Sequence, residues 1–375
     1  MKGGSFRLAT ISGIPVQIHW TFALVFVWMA FAAQSRSFDW IAITWSVMFV
    51  VALFSCVVLH EFGHALTARR YGVTTRDIIL SPIGGVARLD RLPEQPLEEF
   101  FVAAAGPAVN ILLAALFSMY FLFAGPGTLD QLLTFIQPGG NLFVMGLDPL
   151  DYFVFGLMVL NLTLAVFNLL PAFPMDGGRI LRALLAVRMG RARATRLAAN
   201  IGKVMAVLLL LLGIWEMSLI TSLIGVFVYV TASSEYRMVQ IDELLDNHPV
   251  EAVLRTDFKR LYMNDHLYMA AEELSKGLEK NFLVIDQWNE PVGTLPEREI
   301  LQGVKTKKLG QPIGLFMQKG FSTLLPADTL KTALSKLQNQ RGGVLPVFNK
   351  DRLIGVVDEP ALSNFIELNR SEKKK

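Results

Sequence analysis

The chain has 375 residues, 53% of them hydrophobic and 18% charged, with a formal net charge of +3. Soluble globular domains carry about 25% charged residues, so the composition excludes an ordinary soluble protein, and with it disorder, collagen-like repeats and coiled coils. Cys56, the single cysteine, lies in an apolar run and excludes a disulfide-stapled secreted domain, and a charge of +3 is too weak to argue for nucleic acid as a partner.

The charge is unevenly spread. In residues 1–236 only 28 are charged, against 39 of the following 139, which divides the chain into a lipid-embedded domain (1–236) and a water-exposed one (237–375). Six apolar stretches in the first domain reach the roughly 20 residues needed to cross a bilayer, at 14–33, 41–66, 100–124, 152–173, 197–215 and 217–236. Gly13, Ile14 and Pro15 open the first, and no convincing small-residue cleavage site closes it, so it reads as a span rather than a signal peptide.

Basic residues set the expected orientation. Arg69, Arg70, Arg76, Arg88 and Arg91 fall in the loop at 67–99, and Arg179, Arg182, Arg188, Arg191, Arg193 and Arg196 in that at 174–196, whereas 125–151 holds no Lys or Arg. The positive-inside rule places these two loops and both termini in the cytoplasm; Arg36 alone among short external loops breaks the pattern.

The second span ends in His60-Glu61-Phe62-Gly63-His64. Histidines four apart share one helix face, so two imidazoles can hold one Zn²⁺ while Glu61 reaches a water on it. The loop at 78–89 reads as two short β runs around Pro82, Gly84 and Gly85. The third span carries Ala105-Gly106-Pro107-Ala108-Val109-Asn110. The fourth runs into Asn168-Leu169-Leu170-Pro171-Ala172-Phe173-Pro174-Met175-Asp176-Gly177-Gly178. Its prolines break the helix and leave Asp176 on an irregular turn at the depth of the histidines, as a third ligand. The competing reading makes Asp176 the N-cap of a helix at 180–188.

The polar half holds a weak internal repeat of helix, β run, Gly-apolar-apolar segment and helix. The first copy has a helix at 267–278, β runs at 281–286 and 292–295, and Glu299-Ile300-Leu301 after; the second has a helix at 329–337, β runs at 343–348 and 354–357, and a helix at 361–366.

These motifs carry two resemblances. HEFGH at 60–64 and NLLPAFPMDGG at 168–178, with the Gly-Pro…Asn signature between them, resemble the site-2 protease family of intramembrane zinc metalloproteases over residues 8–236. The resemblance implies one zinc ion on His60, His64 and Asp176, with Glu61 as the general base that activates water. It makes Asn168 a catalytic candidate for the developing oxyanion, with a buried amide that holds the broken helix as the alternative. It also implies a membrane-associated hairpin at 78–89 whose edge pairs with an extended substrate, Gly84 and Gly85 admitting close backbone approach and Asn110 a further substrate-binding candidate. His19 either sits by the site or hydrogen-bonds at the interface. The copies at about 242–305 and 306–368 resemble a tandem CBS pair, which in other proteins binds adenine nucleotides and dimerises. Their Gly-x-x-Thr-x-x-Asp endings are degraded to Gly293…Pro296…Glu299 and Gly355…Asp358…Ala361, so a nucleotide sensor stands open against a structural or substrate-docking module.

The expectation is a polytopic α-helical membrane protein with about six transmembrane helices and a small membrane-associated β-hairpin, plus an α/β cytoplasmic CBS pair. Its expected activity is zinc endopeptidase cleavage of a membrane-spanning protein in a prokaryotic inner membrane (regulated intramembrane proteolysis), with the lipid bilayer and a homodimer partner through the CBS pair. Lys373–Lys375 reads as a solvated tail or a contact to anionic lipid. A CBS-gated cation transporter and a zinc-holding adaptor that cuts nothing are the rivals, and zinc content with a Glu61→Gln control separates the three.

Overall fold

The computed structural model describes residues 4–34, 40–82, 84–90, 93, 95–124, 127–133, 148–277, 279–340 and 342–372. Arg36, Arg91, most of the expected external segment and the Lys373–Lys375 tail lie outside them. The chain divides into two compact units, Met1–Tyr236 and Arg237–Lys375.

The first unit opens with a hairpin, β1 (Ser5–Ile11) and β2 (Ile14–His19). Ser12 and Gly13 both have positive φ, the two-residue turn whose twist suits paired strands. A short 3₁₀ turn (Trp20–Phe22) leads into α1 (Ala23–Gln34). The span expected at 14–33 therefore begins as a strand, and its helix starts nine residues later. Ile14 and Val16 are buried while Pro15 and Gln17 are partly exposed, the period-2 alternation of a half-buried strand, and β2 pairs antiparallel with β1 and parallel with β3.

Among the described residues five helices, against the six spans expected, are long and apolar enough to cross a membrane: α2 (Trp40–Arg70), α3 (Pro96–Tyr120), α5 (Pro149–Leu169), α7 (Arg191–Trp215) and α8 (Leu219–Asp246). The short α4 (Thr128–Leu133) precedes α5, and α6 (Asp176–Met189) separates α5 from α7. At 14 residues α6 is about 21 Å long, too short to span.

The loop expected to be a hairpin is one: β3 (Thr75–Ser81) and β4 (Gly84–Leu89) complete a four-stranded sheet in the order β1-β2-β3-β4. Its apolar face (Ile14, Val16, Ile78 and Leu80) packs on Phe62 and Ala65 of α2. Gln17 of β2 donates to Asp77 of β3 at 3.0 Å, and Arg88 of β4 donates to the same carboxylate at 2.6 Å. The polar ladder ties three strands together where the other face meets the helix.

The second unit repeats one plan twice. The first copy is β5 (Arg260–Tyr262), α9 (Leu267–Ser275), β6 (Asn281–Ile285), β7 (Pro291–Pro296) and α10 (Glu297–Lys305). The second is α11 (Leu330–Asn339), β8 (Val344–Asn349), β9 (Arg352–Asp358) and α12 (Glu359–Glu372). Where β5 runs parallel to β6, the second copy has the parallel bridge Leu324–Val347. Each copy has its own apolar core, one around Phe282, Val284 and Leu295, the other around Leu330, Leu345 and Val357. Arg255 bridges Asp358 and Glu279. Burial opposes its charge, but the two carboxylates outweigh that and hold its pKa above the ordinary arginine value.

Leu345 is fully buried, so Leu345→Ala removes core volume that cannot refill and lowers the stability of this unit by about 2–5 kcal/mol. Chemical denaturation of wild type and variant measures it, and zinc content, which depends on the other unit, stays unchanged.

Candidate metal centre

His60 and His64 lie one turn apart near the C-terminal end of α2, their rings perpendicular with centroids 4.7 Å apart. The Nε2 atoms are 3.1 Å apart, and Asp176 Oδ2 stands 3.3 Å from that of His60 and 3.2 Å from that of His64. All three side chains are buried. Zinc ligand atoms sit 2.0–2.2 Å from the metal in tetrahedral array, which places them about 3.3 Å from one another. The donor set, its mutual distances and its burial all fit zinc. Among the described residues these three form the only such cluster of His, Cys, Asp and Glu.

Packing of α3 and α6 sets these distances. A Cβ on Gly106 of α3 would overlap the His64 ring and stand 2.7 Å from Cε1 of His60, so only glycine lets α3 close over the pair. The next turn back supplies Val102, whose carbonyl accepts from His64 Nδ1 at 2.7 Å. A carbonyl only accepts, so Nδ1 carries the proton and Nε2 presents its lone pair toward Asp176. Asp176 is the first residue of α6, with Met175 as N-cap. It is neither on an irregular turn nor a capping residue, because Gly177 and Gly178 let the helix begin directly against the preceding turn. A Cβ on Gly178 would lie 2.7 Å from the backbone of Ala172 and Phe173.

Glu61, the residue after His60, reaches the sheet. Its Oε2 accepts from the backbone N–H of Ala87 at 3.0 Å. That N–H therefore faces away from β3, and by strand alternation the N–H of Gly85 faces the same open edge. A Cβ on Gly85 would fall 2.8 Å from Glu61 Cγ. Gly84, at the turn, has a positive φ and open space around it.

The other expected residues fall elsewhere. Asn168 is half-buried on the last turn of α5, on the same stripe as the fully buried Asn161 and Ala165. Asn110, the further substrate-binding candidate, is 1% exposed inside α3, one turn beyond Gly106, and its Oδ1 is buried without a hydrogen-bond partner among the described residues. His19 caps the 3₁₀ turn through Thr21, its Nδ1 2.7 Å from the Thr21 hydroxyl. Sequence reasoning missed Asn161, Val102 and the Ala87 backbone. Asn161 had a usable signal, an amide in the middle of an apolar span; a carbonyl and an N–H had none.

Residues 48–212 match the profile of Peptidase family M50, and residues 313–367 that of the CBS domain. The chain is 39% identical over 243 residues to the zinc metalloprotease MJ0392 of Methanocaldococcus jannaschii, covering 65% of this chain and 64% of that one. It is 28% identical over 266 residues to the stage IV sporulation protein FB of Bacillus subtilis, covering 67% and 82%. The solved structure of a site-2 protease from Methanocaldococcus jannaschii aligns with 62% of this chain and 95% of its own, at 36% identity and a TM-score of 0.44.

Gly106→Val drives a side chain into both imidazoles. Its zinc content, measured by atomic absorption on purified protein, falls well below that of wild type.

Proposed function

This chain belongs to peptidase family M50, the site-2 proteases, and carries a C-terminal CBS domain pair; from that premise we propose that it is a zinc endopeptidase that hydrolyses a peptide bond in or near a transmembrane segment of a membrane-anchored protein. The observation that carries the reading is the convergence of His60, His64 and Asp176 within 3.3 Å, beside a glutamate that touches the open edge of a β-sheet.

His60, His64 and Asp176 would hold the zinc. Bound there, zinc supplies Lewis-acid polarisation of the scissile carbonyl and acidifies water at the site. Glu61 is the general base: one carboxylate oxygen is held by the Ala87 N–H, and the other takes the proton of the attacking water. The same carboxyl returns that proton to the amine nitrogen as the C–N bond breaks, so water is divided between the two products. Asn168, at the end of α5, is the proposed donor to the oxyanion that develops on the carbonyl.

A substrate helix hides its amides in its own hydrogen bonds, so it must be unwound before it can be cut. The free edge of β4 offers the replacement. An extended segment paired along Gly84–Leu89 exchanges helical bonds for strand bonds, and Gly85 lets it approach next to Glu61. Substrates with helix-weakening residues around the scissile bond are therefore cut faster. With the arginine-rich loops inward, both termini and the second unit lie in the cytoplasm and cleavage falls near that face. In the second CBS copy, Asp358 occupies the motif's threonine position and its carboxylate is tied to Arg255. A carboxylate repels phosphate, and Pro296 in the first copy has no donor, so the pair serves as a docking or structural module rather than a nucleotide sensor.

Reconstitution with a model transmembrane substrate tests the reading. Glu61→Gln keeps stoichiometric zinc and loses about 10²–10⁴-fold in cleavage rate; a variant that cuts as fast as wild type refutes the proposed base. Gly85→Val, which crowds Glu61 and obstructs the edge, lowers kcat/KM at least tenfold while zinc is retained.

A further inference from the structure

We propose that Arg182 is a positioning residue of the metal centre, which locks the azimuth of α6 and so the place of Asp176; this rests on the ligand set proposed above. Arg182 is fully buried. Its Nε donates to Glu99 Oε1 at 2.8 Å and its Nη2 donates to the same oxygen. Glu99, 4% exposed, sits in the first turn of α3, the helix whose Gly106 closes on the two imidazoles. The guanidinium lies 5.2 Å from the centroid of Phe173, the buried ring of the turn that precedes Asp176. Nη1 faces Glu235 of α8 at 3.7 Å. One side chain on the ligand helix thus touches α3, the turn before Asp176 and α8.

Burying a guanidinium is costly unless it is paired with good geometry, and the chain had alternatives. Arg179, Arg188, Arg191, Arg193 and Arg196 belong to the same basic segment, and among the described residues none of them has a carboxylate within 4.0 Å. Of these arginines, Arg182 alone is fully buried and ion-paired. The start of α6 is also poor at holding itself: Met175 gives no side-chain cap, and Gly177 and Gly178 favour a helix less than alanine does. A carboxylate oxygen lies roughly 5 Å off the helix axis, so a turn of about 10° moves it by about 0.9 Å. Metal ligands tolerate about 0.2 Å. The planar fork on Glu99, about 9 Å further along the helix from Asp176, removes that rotation.

The test uses the full-length protein in detergent, with zinc affinity read by competition against a chelator. Arg182→Lys keeps the charge and loses the fork; Glu99→Gln keeps the shape and loses the charge. Both are expected to bind zinc 10–100-fold more weakly, to reach wild-type stoichiometry at high zinc, and to lose kcat with little change in KM. The two are read in parallel, so a variant that fails to fold leaves the other to decide. Phe121→Ala, in the packing of α3 on α5 away from the ligands, serves as a control for general destabilisation. Zinc affinity equal to wild type in a folded Arg182→Lys or Glu99→Gln protein overturns the proposal. So does an equal weakening in Phe121→Ala at the same fall in Tm. His60→Ala and Asp176→Ala test the ligand set separately: if they keep zinc, that set is wrong, and if they lose it while Arg182→Lys does not weaken binding, only the positioning role fails.

Discussion

The structure depends on one constraint: two histidines of α2 and an aspartate from a distant part of the chain meet inside a largely apolar unit. His64 and Asp176 are 112 residues apart in sequence and 3.2 Å apart in space. Helices packed through ordinary side chains keep their axes 8–10 Å apart, so the meeting needs places where no side chain stands between them. Gly106 provides one, against the imidazoles, and Gly177 and Gly178 provide another, against the turn at 169–173. The centre of the membrane unit is α3, which packs against α2, α5 and α6, and its glycine, carbonyl and glutamate each hold one part of the site.

The second consequence is that Glu61 and the β4 edge share an anchor. Because Glu61 follows His60 directly, it leaves the helix on a neighbouring face, where the β4 edge waits. The Ala87 N–H fixes one carboxylate oxygen, and the sheet behind β4 is in turn fixed to α2 through Phe62 and Ala65. A strand aligned on that edge is therefore registered against the same helix that carries the ligands. Common attachment of Glu61, the two histidines and the β4 edge to α2 keeps positional errors from accumulating between them, which matters wherever a misplacement of 1 Å costs about 10²-fold in rate.

What the sequence made legible was local. Histidines four apart, a carboxylate beside the first and a proline-broken helix before Asp-Gly-Gly are all short-range patterns whose chemistry follows from spacing. The strand Ile14–His19 was hidden because its apolar content is high enough to merge with the helix after it in any hydropathy window. Its alternation of buried and partly exposed residues was present but shorter than the window. Its parallel partner Ile78–Leu80 lies some 60 residues away, a pairing that no local pattern encodes. Asp176 as the first helical residue was obscured by the two glycines, which suggest a turn and here permit close packing. The Arg182–Glu99 pair joins residues 83 apart and was lost among a dozen arginines that all fitted the positive-inside rule.

Those charged and polar groups also show why the metal reading follows from chemistry as well as motif. Three other buried carboxylates of the membrane unit are balanced by donors within the chain: Asp77 by Gln17 and Arg88, Glu99 by Arg182, Asp151 by the Tyr120 hydroxyl. The cluster of His60, His64 and Asp176 is balanced differently. Val102 holds the proton of His64 on Nδ1, so Nε2 turns a lone pair toward a carboxylate oxygen 3.2 Å away and toward a second imidazole nitrogen at 3.1 Å. The three atoms are of the donor types, and at the mutual spacing, that a tetrahedral zinc site uses, so a bound ion would tie α2 to α6 at the point where α3 closes over the imidazoles.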